Sequence, residues 1–208
     1  MMALIPQLAT PALTILMAAA ILLVIFNDWQ LSLAALAAQY LCAAVLIAQI
    51  VLWQVAAVKL LVGMLVVAIL LITGLQVYFG RRAGTRTLAF PTGFPFRVLA
   101  AAMVAVAAWY TANQPNYLLP GLQAAPALNV AAFVLTALAL LNLGLTEEPV
   151  NTGAGLLTLL TGFGLFYAAV EPSLAIVALL AAVEFGVALA VSYLALVQYT
   201  ALEKGASD

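Results

Sequence analysis

The stretch SLAIVALLAAVEFGVALAVSYLALVQY, residues 173–199, decides the fold class. It exceeds the ~20 apolar residues that a helix needs to cross a bilayer, and it carries one carboxylate, Glu184, in its middle. An ionised carboxylate at that depth costs at least ~2.5 kcal/mol on insertion scales. The chain therefore pairs Glu184, keeps it protonated, or uses it. On a helix the Glu184 face continues through Ala188 and Ser192, with Gln198 near the same stripe. Small residues at Ala181, Gly186 and Ala188 would let neighbouring helices approach closely.

The rest of the chain is of the same kind. Of 208 residues, 68% are hydrophobic and 6% charged, too little polar surface for a water-soluble domain. The reading is all-α: a polytopic transmembrane helical bundle. Histidine is absent, which excludes imidazole chemistry and His-based metal sites. The single Cys42 excludes a disulfide framework or a cysteine cluster. A net charge of −1 gives no reason to expect a nucleic-acid partner. No P-loop, Rossmann glycine pattern, haem motif or catalytic triad is present, and neither a cofactor nor a metal is expected.

About seven spans follow, at residues 8–26, 31–52, 56–79, 96–112, 128–145, 153–170 and 173–199. The long apolar run 31–79 is divided at Trp53-Gln54, where an interfacial aromatic meets an amide. Asn27-Asp28, Pro91 to Pro95, Pro115 to Pro126 and Glu147 to Pro149 supply the other breaks. The short Glu171-Pro172 link predicts a tight antiparallel pairing of the last two helices. With no basic residue before its first apolar run, the N-terminus reads as a retained first span rather than a secretory signal peptide.

Arg81, Arg82, Arg86 and Arg97 fall at one loop, and Lys204 lies in the tail. An odd number of spans puts loop and tail on one side, so the positive-inside rule makes the C-terminus cytoplasmic and the N-terminus external. The organisation is a three-helix segment 1–79, a cytoplasmic Arg-rich loop 80–97 and a four-helix segment 98–208. The arginines serve as a topogenic signal or grip an acidic partner or anionic lipid. Glu147 and Glu148 read as exposed, hydrated loop carboxylates, a proton funnel being the alternative, and Glu171 as an external turn residue.

Chemistry must come from the few polar groups inside the membrane. Glu184 is either a proton carrier or a protonated packing group. Lys59, near the outer end of span three, either snorkels to the interface or faces a partner subunit or Glu184. Gln39, Gln49 and Gln54 add amides spaced too widely for one stripe. Span six carries Gly153, Gly155, Thr158, Thr161, Gly162 and Gly164, read as a close-packing face or a water-lined seam beside Glu184.

The segment LSLAALAAQYLCAAVLIAQIVLWQVAAVKLLVGMLVVAIL resembles the corresponding part of the hydrogenase-4 membrane component E family. There a Gln-containing second span precedes a third span with a lysine. LLAAVEFGVALAVSYL is similar to the last helix of the K-type small membrane subunit of complex I, where Ala-rich sequence leads to a glutamate. The K-type subunit carries a second glutamate on the preceding helix. Matching GLLTLLTGFGLFY to that helix puts Leu157 at the glutamate position and Thr161 where an asparagine is usual.

The resemblance implies a non-catalytic subunit of a complex I-like or group 4 hydrogenase-like energy-converting complex in a bacterial cytoplasmic membrane. Its partners would be antiporter-like and other membrane subunits. Glu184 and Lys59 would stand in a proton or cation path, supported by Ser192, Thr158, Thr161 and Gln39. A purely structural membrane-arm subunit and a small autonomous secondary transporter are the alternatives.

Overall fold

The computed structural model describes residues 5–26, 28–51, 53–79, 93–117, 126–170 and 173–205. Among them stand seven α-helices and no strand. These are α1 (Ile5–Ile25), α2 (Trp29–Ile47), α3 (Trp53–Phe79), α4 (Phe94–Ala112), α5 (Pro126–Leu145), α6 (Pro149–Val170) and α7 (Leu174–Gly205). Six of them, α2 to α7, are long and apolar enough to cross a membrane; the apolar helix within α1, Ala9–Ile25, is shorter. The chain is an integral membrane helical bundle, and each expected span overlaps a helix, although the span expected at 31–52 overruns α2, which ends at Ile47.

The helix ends follow from local chemistry. Asp28, in extended conformation, caps α2 by accepting from the Gln30 backbone N–H at 3.1 Å. Pro126 and Pro149 open α5 and α6, where a missing N–H leaves nothing unsatisfied. Gly93 leads into α4 with φ +103°, a conformation that favours glycine.

Starting α4 at Phe94 brings Arg97 into its first turn rather than leaving it in the preceding loop. From there the guanidinium donates to the carbonyl of Val24, at 3.3 Å, and to that of Leu145. These carbonyls end α1 and α5, where helix geometry leaves no backbone donor and the macrodipole is negative. One arginine thus ties three helices at one end of the bundle. At the other end Asn129, on α5, donates to the carbonyl of Ala112, the last residue of α4, at 2.8 Å. Arg81, Arg82, Arg86 and Glu171 lie outside the described residues.

α1, α2, α5 and α6 pack together in the middle. α4 lies outside against α1 and α5, and α3 and α7 pair with each other against α2 and α6. The buried share of the membrane-crossing window is 61% in α2 and α6 but only 17% in α4 and 22% in α7, which makes the last two peripheral. A large apolar core joins α1, α2, α4 and α5; a smaller one joins α2, α3, α6 and α7. Close packing is the role the structure gives to Gly153 and Gly162 on α6. A Cβ on Gly153 would come within 2.6 Å of Val191, and one on Gly162 within 2.7 Å of the Thr136 hydroxyl. α6 and α7 do pack together, as the short link between them predicts.

Candidate functional site

α3 buries a stripe of Val55, Ala56, Lys59, Val62, Val66, Leu70 and Thr73, the three-and-four spacing of one helix face. Lys59 belongs to that stripe and is only 6% exposed, so it does not snorkel to the interface. α7 buries Glu184, Ala188, Val191, Ser192 and Ala195 at the same periodicity. Because the two helices pack side by side, Lys59 Nζ donates to Glu184 Oε1 and forms a buried ion pair. Of the readings open for Lys59, the structure realises the one that faces Glu184.

Two glycines shape the surroundings of the ammonium. Tyr40, wholly buried on α2, presents its ring 5.7 Å from Lys59 Nζ, within cation–π range. The ring sits there because Gly63 lacks a side chain; a Cβ on Gly63 would lie 2.4 Å from it. On the α6 side, a Cβ at Gly164 would lie 3.6 Å from Nζ and 3.1 Å from Leu180 Cδ2. A cleft of about 30 Å³ opens at this point, lined by Val55, Lys59, Gly164, Tyr167, Val177 and Leu180 among others.

Desolvating two charges costs several kcal/mol per ion, and mutual attraction repays it fully only when the remaining polar atoms are also met. Here they are not all met. Glu184 Oε2 is buried and, among the described residues, has no hydrogen-bond partner. Proton transfer within the pair interconverts charged and neutral forms without changing its net charge. Taking up or losing one proton changes that charge by one, which is what a carrier group must do.

The supporting residues named from sequence are all buried, but they do not all converge. Gln39 Oε1 accepts from the Thr158 hydroxyl at 2.8 Å, linking α2 to α6. That hydroxyl is also 2.8 Å from the Ala154 carbonyl. Thr161 donates to its own helix at the Leu157 carbonyl, 2.8 Å away, and lies beside Tyr40. The Ser192 hydroxyl is buried without a protein partner among the described residues.

Three expectations need correction. Gln198 lies near the same stripe but is exposed rather than buried with it. Gly186 faces outward: a Cβ there would meet nothing within 4 Å, so among the described residues this glycine mediates no helix contact. Glu148 is half-buried and accepts from the Asn151 side chain at 2.9 Å at the start of α6, whereas Glu147 is exposed, as expected. Sequence reasoning missed Tyr40 altogether. Its position next to Gln39 was the available signal, but its relation to Lys59 depends on how α2 meets α3.

Comparison with protein-family models, with curated proteins and with solved structures finds no match to this chain.

Proposed function

We propose that this chain is a membrane subunit whose Lys59–Glu184 pair carries a proton, or responds to a cation, during ion translocation. The observation that carries the reading is the pair itself: two opposite charges held in the membrane between α3 and α7, with one carboxylate oxygen unpartnered among the described residues and the lysine lining a small cleft. Intramembrane ionisable residues mark ion pathways and proton relays as a rule.

Membership of a complex I-like or group 4 hydrogenase-like energy-converting complex is supported by the resemblance of α2, α3 and α7 to component E and the K-type subunit. In that setting the chain is a non-catalytic subunit of a bacterial cytoplasmic membrane assembly, with its C-terminus and Arg-rich loop cytoplasmic. Leu157, aligned with the second glutamate of the K-type subunit, is fully buried in the apolar core. Glu184 therefore acts as a lone carboxylate paired with a lysine, not as one of two carboxylates.

The test is affinity isolation from native membranes in mild detergent with mass spectrometry of the co-purifying proteins. Antiporter-like subunits support the assignment; a monodisperse protein without partners overturns it in favour of an autonomous transporter. In the isolated assembly, Glu184→Gln is expected to abolish coupled ion movement while leaving the subunits together. Unchanged coupling would leave a structural role.

A further inference from the structure

The cleft and the apolar core lie on opposite sides of the ion pair along the bundle axis. The cleft is lined by the start of α3, the end of α6 and the start of α7, with Ile47 from the end of α2. These termini all belong to one end of the bundle. The fully buried Val66, Leu70, Leu157 and Ala188 cluster with Leu36 and Tyr40. Val66 is two helical turns beyond Lys59, about 10 Å farther from the start of α3. Ala188 is one turn beyond Glu184, about 6 Å farther from the start of α7. Leu157 lies about 10 Å before Gly164, on the same far side. At that level Gln39 and Thr158 bond to each other.

We propose that the Lys59–Glu184 pair meets water from one end only, through the cleft between α3, α6 and α7, and is sealed from the other end by this apolar layer. A space of about 30 Å³ has room for roughly one water beside the ammonium. Gly164 is the residue that keeps the passage open, since a side chain there would enter the space beside Nζ. The site thus takes water, delivered from the face at which α3 and α7 begin. The inference rests on the pair being the translocation site, and it names the side from which that site is loaded.

Single-cysteine variants of the full chain in sealed membrane vesicles test it. The background is Cys42→Ala, which removes the single native cysteine. Trp53→Cys marks the face, because Trp53 is 72% exposed at the start of α3. With an aqueous, membrane-impermeant methanethiosulfonate, Val177→Cys and Leu180→Cys are expected to react from the Trp53 face alone. Adding Gly164→Leu should abolish the Leu180→Cys reaction, and Val66→Cys and Ala188→Cys should be inert from both faces. Unreactive Val177→Cys and Leu180→Cys would overturn the inference, as would labelling of Ala188→Cys from the opposite face. Labelling needs no transport. A reactive cleft combined with intact coupling in Glu184→Gln would therefore sink the translocation reading and leave the one-sided access standing.

Discussion

The α1/α4/α5 side of the bundle and the α3/α6/α7 side both bury small-residue stripes, but they place their polar groups at different depths. On the first side, α4 packs through Ala101, Ala105, Ala108 and Ala112, and the polar contacts sit at helix ends. Arg97 meets the carbonyls of Val24 and Leu145, and Asn129 meets that of Ala112. Every one of these bonds satisfies a terminal carbonyl that the helix itself leaves free, which is reason enough for the residue to be there. On the second side, Lys59 and Glu184 lie within their helices, where backbone groups are already paired. No helix terminus calls for them. A charge pair buried past the first turns of its helices, against its desolvation cost, needs another explanation, and the exchange of a proton or cation supplies one.

Removing one partner of the pair is expected to do most damage. Lys59→Met or Glu184→Leu alone leaves an uncompensated buried charge and should cost about 3–5 kcal/mol in detergent unfolding. The double variant Lys59→Met/Glu184→Leu should recover most of that stability while remaining inactive in ion translocation. A double variant as unstable as the singles would mean that the pair is an essential staple, erasing the distinction between the two sides.

Arg97→Ala should cost roughly 1.5–3 kcal/mol, because it strips charged hydrogen bonds from two helix ends. Its coupling activity per folded molecule should be unchanged, and a selective loss of coupling would put a functional residue on the structural side. Gly63→Ala forces Tyr40 off the Lys59 side of α3, at about 1–3 kcal/mol of overpacking, and should perturb coupling as well as stability. The smallest effect is expected at Gly186→Ala, whose added methyl meets nothing. That variant should be neutral or stabilised by up to about 1 kcal/mol from helix propensity, and a clear destabilisation would show that a partner covers this face of α7.

Much of the fold was legible because bilayer length and helix punctuation act locally. Asp28, Pro126 and Pro149 mark helix starts in sequence, and the structure begins α2, α5 and α6 at them. Glu184 was legible too, since a single carboxylate in an apolar run stands out whatever surrounds it. Its partner was not, because Lys59 is 125 residues away and the contact depends on α3 lying beside α7. Periodicity gives the face of a helix but not its neighbour. The same limit explains Gly186 and Gln198, a small residue and an amide that suit an interface but stand exposed, where none of the described helices covers them. Tyr40 was hidden for the converse reason: an aromatic in an apolar helix looks like core until the lysine opposite it is known.

Infrared difference spectroscopy of the carboxyl C=O stretch, recorded on the membrane-embedded protein as pH is stepped, observes Glu184 without needing partners or a driving reaction. A protonated-carboxylic-acid band that rises and falls reversibly with pH, shifts in heavy water and is missing from Glu184→Gln is the predicted result. A spectrum in which Glu184→Gln removes no pH-dependent band would contradict it, leaving the Lys59–Glu184 pair as a fixed link between α3 and α7.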